Sequence, residues 1–119
     1  MKKRLIYLFV LLMAASFQGC FKLDSGPRLE ILVVDQLENP VPGAYVALFE
    51  TESEWSSRKN PVQVWRKTDA AGKVLFADLR EIKYWIYARS GSLDNSLGEI
   101  NTIEGLQNNK IASIVVHVR

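Results

Sequence analysis

The chain has 119 residues, 48% of them hydrophobic and 24% charged, with one cysteine, one histidine and a formal net charge of +2. A chain of that size supports one core and no more. The lone cysteine excludes a disulfide framework, the lone histidine excludes a metal centre built from several imidazoles, and the scattered charges offer no basic stripe for nucleic acid.

At the start, Lys2, Lys3 and Arg4 precede an apolar run over residues 5–15, which gives way to small and polar residues before Cys20. That is the order of a secretory signal: basic, apolar, then a cleavage region. Eleven residues rise only about 16 Å as a helix, about half of a hydrocarbon core, so removal is expected rather than a permanent span. The ending Gly19-Cys20 resembles a bacterial lipoprotein signal, in which a small residue precedes the cysteine that becomes the lipidated first residue of the mature protein. Phe17 departs from that pattern, standing where Leu is usual. The resemblance implies that residues 1–19 form a signal peptide that is removed, and that Cys20 carries lipid and makes a membrane the first partner. Residues 20–27 then form the lipidated N-terminus and a short tether, and residues 28–119 the folded domain. Loss of three basic residues leaves 12 basic against 13 acidic, a net charge of −1.

From residue 28 on, short segments rich in Val, Ile, Tyr and Phe are divided by Gly, Pro, Asn and Asp, which is the pattern of strands and turns. Residues 29–34 form a first expected strand and 35–40 a turn. Residues 44–50 form a second, with Ala44, Val46 and Leu48 on one face and Tyr45, Ala47 and Phe49 on the other. Residues 51–60 read as a polar loop carrying Trp55, 62–67 as a third strand, 68–72 as a tight connection and 73–77 as a fourth strand. Residues 84–89 give a fifth, 98–103 a weaker sixth, and 111–118 a long β-branched last strand. No helical period runs through residues 74–90. Seven short strands at even spacing predict an all-β sandwich.

Two motifs carry a second resemblance: Val33-Val34-Asp35 followed by Asn39-Pro40-Val41-Pro42-Gly43-Ala44-Tyr45-Val46, and Thr68-Asp69-Ala70-Ala71-Gly72-Lys73-Val74-Leu75-Phe76 leading to residues 84–88. Together they resemble the carboxypeptidase regulatory-like, or transthyretin-like, domains, and also the B-type repeats of bacterial surface adhesins. The resemblance implies a seven-stranded Ig-like sandwich. In physical terms these residues shape turns: Gly43 and Gly72 admit a left-handed backbone, Asp69 bonds its own loop, and Pro40 and Pro42 stiffen the approach to the second strand.

Catalytic chemistry finds little support. Transthyretin-like hydrolases use several histidines and a C-terminal Tyr-Arg-Gly-Ser, whereas this chain ends Val116-His117-Val118-Arg119 and holds no second histidine. Iron-binding sandwiches fail on the same count. Glu50, Glu52 and Glu54 read as a solvated acidic loop rather than a calcium site. An adhesin subunit with an isopeptide cross-link would need a lysine, an asparagine and an acid together, for which Lys73 and Asn109 are available. No enzyme, cofactor or metal is expected. Lipid anchoring and the absence of retention or export signals after Cys20 point to the cell envelope, on the periplasmic face of an outer membrane, in a binding or structural accessory role.

The best candidate for binding is aromatic. With Ala44, Val46 and Leu48 inward and Tyr84, Ile86 and Ala88 inward, Tyr45, Phe49, Trp85 and Tyr87 turn outward. In the resembling domains these strands are neighbours, so the four rings would form one face for an envelope protein or a glycan. The alternative is a cover, supplied by residues 90–110 or by residues 51–60 with Trp55.

Overall fold

Alternating apolar residues bury one face of a strand, and two such faces must meet to leave water. A computed structural model describes residues 26–119; the expected signal peptide over residues 1–19 and the expected lipid site Cys20 lie outside the described residues. The elements are β1 (Arg28–Val34), β2 (Tyr45–Phe49), α1 (Glu52–Ser57), β3 (Arg66–Lys67), β4 (Lys73–Phe76), β5 (Trp85–Ser90), β6 (Leu93–Asp94) and β7 (Ile111–His117). They form a three-stranded sheet in the order β4-β1-β7 and a four-stranded sheet in the order β3-β2-β5-β6. β1 is antiparallel to β4 and parallel to β7, so the first and last strands lie side by side. β2 and β5 are antiparallel neighbours, with Ala47 opposite Tyr87 and Phe49 opposite Trp85.

Between the sheets, Leu29, Ile31 and Val33 of β1 and Val74 and Phe76 of β4 pack against Val46 and Leu48 of β2 and Ile86 and Ala88 of β5. Ala44 and Tyr84 join the same core, so the inward sets expected from alternation hold. Tyr84 is fully buried, and its hydroxyl accepts the Arg80 N–H at 2.8 Å, which satisfies the polar end of a core ring. Thr68 is the other kind of buried polar group. Its Oγ1 accepts the Ala44 N–H and donates to Val41 O, tying the approach to β2 onto the end of β3.

The turns follow the chemistry of their residues. Asp69 Oδ1 accepts from Ala71 and Lys73 N–H groups, and Asp35 Oδ1 does the same for Leu37 and Asn39. Gly43 and Gly72 take φ of +70° and +77°. At Gly72 a Cβ would also sit 2.9 Å from Val33 O, so the position is closed to larger residues on two grounds.

Three expectations change. Residues 51–60, expected as a polar loop, carry α1. The third strand shrinks to Arg66–Lys67: Val62 N–H still reaches Leu48 O of β2 at 2.8 Å, but the chain bends at residues 62–63 and rejoins the ladder only at Arg66. Residues 98–103 are not a strand but a loop held against the start of β5, with Ile86 N–H on Ile100 O and Thr102 N–H on Tyr84 O. Asn95, fully buried, forces that path: it accepts from Ala88 N–H and donates to Ile86 O and Glu99 O. The sixth strand is instead the short β6.

Candidate functional site

The outer face of the four-stranded sheet carries the four rings singled out above, and α1 decides their exposure. Thr51 caps the helix: its hydroxyl accepts the Glu54 N–H at 3.1 Å, and the Glu54 carboxylate reaches back to it. Glu52 and Glu54 lie in the first turn, where the helix end favours negative charge, and Arg58 closes the last turn in a left-handed conformation. Of the alternating acids, Glu52 and Glu54 therefore belong to a helix start, while Glu50 meets the Arg80 guanidinium at 3.1 Å; Glu50 and Glu52 are exposed, as expected of them.

This single turn and a half of helix lays Trp55 on the sheet. The indole N–H donates to Ile86 O at 2.7 Å and the ring packs on Trp85 at 6.2 Å. Trp65 stands edge-on to Phe49 at 6.4 Å and to Tyr87 at 5.8 Å. The Arg58 guanidinium lies 3.8 Å from the centre of the Tyr87 ring. The result is a second small core of Ala47, Phe49 and Tyr87 with Trp55 and Trp85 packed against it.

The expected open aromatic face is thus corrected. Phe49 is 0% exposed and Tyr87 6%, Trp85 is half-buried, and only Tyr45, at 40%, stands open. The physical reason is the cover weighed above, Trp55 on residues 51–60, to which Trp65 and Arg58 add. Tyr45 itself sits between Lys67 at 4.9 Å and Arg89 at 6.0 Å, and Lys83 lies 5.0 Å from the Trp85 ring, so cations border what remains of the face.

A cluster the sequence did not show lies at the far end of β7. His117 has a carboxylate on each ring nitrogen: Nε2 meets Glu38 Oε1 at 2.6 Å, and Nδ1 meets Glu99 Oε1 and Oε2 at 3.1 and 3.2 Å. Glu99 Oε1 also accepts the His117 backbone N–H at 2.9 Å. Both ring nitrogens can donate only in the charged imidazolium, so hydrogen bonding to Glu38, then to Glu99, raises the His117 pKa. Burial pushes Glu99 up, but the bonds from His117 outweigh it and hold its carboxyl below the ordinary value. The cluster ties the last strand to the turn after β1 and to the loop after β6. Among the described residues no hydroxyl hydrogen-bonds to the imidazole, and no group of three or more His, Cys, Asp or Glu is arranged to hold a metal ion.

The cross-link expected of an adhesin subunit is not assembled from the residues named for it. Lys73 lies opposite Leu32 in the β1–β4 pair, whereas Asn109 precedes Ile111, which lies opposite Arg28 at the other end of β1. Both side chains are exposed, as is every lysine among the described residues.

No protein-family model and no curated protein matches the chain. Solved structures do. The TIE protein of Bacillus anthracis is similar over 78% of this chain, with 19% identity and a TM-score of 0.54. BcpA, the major pilin subunit of Bacillus cereus, is similar over 81%, with 11% identity and a TM-score of 0.50. The chain spans 16% of the first and 30% of the second. At these identities the likeness is one of fold, and the fold is an all-β, Ig-like sandwich. No helix among the described residues is long and apolar enough to cross a membrane.

Proposed function

We propose that the chain is a lipid-anchored, non-catalytic module of the bacterial cell envelope, a sandwich of the carboxypeptidase regulatory-like, transthyretin-like kind in a structural or binding accessory role. The observation that carries the reading is the N-terminal order of Lys2-Lys3-Arg4, an apolar run and Gly19-Cys20. Three acyl chains, as the lipoprotein resemblance implies, would hold the domain stably, since two anchoring signals already suffice. Phe21, in place of an acidic retention residue, favours the periplasmic face of an outer membrane.

The non-catalytic part draws on how the polar groups are used. Asp35 and Asp69 each bond the backbone of their own turn, and hydrogen bonds from Ser96 and from Asn39 hold Asp94 and Asp35 below the ordinary carboxylate range. His117 is occupied on both nitrogens. A second reading, a subunit of a surface assembly, is favoured by the fold shared with the pilin subunit BcpA.

Cys20→Ala tests the anchor: the variant loses its lipid label and leaves the membrane fraction, and a variant that keeps both contradicts the reading. Protease added to intact cells separates the two readings. The chain survives if it faces the periplasm and is cut if it belongs to a surface assembly.

A further inference from the structure

A sheet ends in edges, and an edge strand with open N–H and C=O groups pairs readily with another strand unless something blunts it. The four edges of this sandwich are not alike. β3 and β6 are two residues long, and β3 is Arg66-Lys67. β4 has four residues and is flanked by side chains that take carbonyls, Arg66 on Leu75 O at 3.2 Å and Gln63 Nε2 on Ala77 O at 2.7 Å. β7 is seven residues long and holds no charge and no proline before His117.

The ends of its ladder fix which groups of β7 are open. Arg28 N–H donates to Lys110 O and Val118 N–H to Val34 O, each at 3.0 Å. In a parallel pair bonding alternates by residue, so Ala112, Ile114 and Val116 bond β1, while Ile111, Ser113, Val115 and His117 turn their N–H and C=O groups to the free side. The His117 N–H is taken by Glu99. Ile111, Ser113 and Val115 are exposed, and among the described residues no other hydrogen bond reaches their backbone. Beside them a groove of about 350 Å³ opens between β7 and residues 102–107, with Leu29, Leu106, Ala112 and Ile114 in its lining.

We infer that β7 pairs antiparallel with β7 of a second copy, about a two-fold axis through Ser113. That centre sets Ser113 opposite itself and Ile111 opposite Val115 of the second copy, and the reverse. All three pairs join residues whose groups are open, and each exchanges two hydrogen bonds. A one-residue slip sets open residues against bonded ones and forfeits the match. On the outer face Ile111, 50% exposed, meets Val115, 41% exposed, so apolar surface on each copy is covered by the other.

Charge selects the direction. Lys110 stands at one end of the strand, and at the other Glu38 and Glu99 flank His117, with Arg119 beside Glu38 and His117. Antiparallel pairing brings each Lys110 toward the carboxylates of the other copy, whereas parallel pairing would set lysine beside lysine. On the inner side, Ala112 and Ile114 of the second copy close the mouth of the groove. The pairing holds wherever in the envelope the chain resides.

Sedimentation of the full chain tests it, with a mass that rises toward twice the monomer as concentration increases. Ser113→Lys sets two ammonium groups opposite each other and weakens the dimer at least about tenfold, while the unfolding midpoint in dilute solution, where the chain is monomeric, is unchanged because Ser113 is exposed. In the full chain carrying Cys20→Ser, Ser113→Cys places two thiols on Cα atoms about 5.5 Å apart, within disulfide range, so mild oxidation yields a covalent dimer, whereas Lys73→Cys on β4 yields none. A chain that stays monomeric and uncrosslinked, a dimer indifferent to Ser113→Lys, or a new thiol that captures only a different protein would each overturn the inference.

Discussion

The two outer faces of the sandwich solve the same problem in opposite ways. On the four-stranded sheet, large rings turn away from the core and are roofed by a helix of six residues, two tryptophans and an arginine. On the three-stranded sheet the outward apolar residues are smaller: Leu32 is half-buried, and Leu75, Ile111 and Val115 are exposed, Leu75 and Val115 at 41% each. The difference shows where stability and association reside. The roofed face is a second core that a partner would have to unfold to reach, and the bare sheet, with its open β7 edge, is the one prepared for contact.

The sharpest contrast comes from truncating one residue on each face. Phe49→Ala should lower unfolding stability by about 3–5 kcal/mol, as for a fully buried aromatic, while Val115→Ala in dilute solution should cost under about 1 kcal/mol. Denaturant midpoints with unchanged slopes would show it, and equal losses would erase the distinction between the faces. Trp55→Ala removes the roof itself. About 2 kcal/mol is expected, from a half-buried ring and the hydrogen bond to Ile86 O, together with faster exchange of the Tyr87 and Phe49 amides. Thr51→Ala should cost about 1 kcal/mol through loss of the cap, and a result near zero would mean that α1 is held by Trp55 alone.

The smallest effect lies at the end of β7, where the His117 clamp joins the two regions. Because the His117 pKa is raised on folding, its contribution is complete below its ordinary value of 6.5 and fades as pH rises through the raised one. Because the Glu99 pKa is lowered, its contribution is complete above 4.5 and fades as pH falls through the lowered one. The clamp is therefore strongest between 4.5 and 6.5. Unfolding midpoints measured across pH should decline above that window in the native chain, and His117→Gln should flatten the decline.

Much of the sandwich was legible in the sequence, because alternation is a strong signal where one face is buried. Ala44, Val46 and Leu48, and Tyr84, Ile86 and Ala88, fall where it places them. Turn chemistry at Asp69 and Gly72 was equally readable. The helix was not, since residues 52–57 hold a single apolar side chain, Trp55, and so no helical period. Its one local sign was Thr51 three residues before Glu54, the pattern of a capping box. The outward direction of Phe49 and Tyr87 was readable, but their cover depends on where a distant indole lands. The Glu38–His117–Glu99 cluster left no local trace, because its members are brought together from 79 and 18 residues apart. β6, two residues long, is too short for any pattern to register.

Amide hydrogen exchange resolved by residue along β7 reads the central contrast directly. In dilute solution Ala112, Ile114 and Val116 should be protected by β1, while Ile111, Ser113 and Val115 exchange freely, and these three should gain protection as the protein is concentrated. Equal protection of both sets at the lowest concentration, or open exchange of Ile111, Ser113 and Val115 at every concentration, would contradict an open edge that a second copy closes.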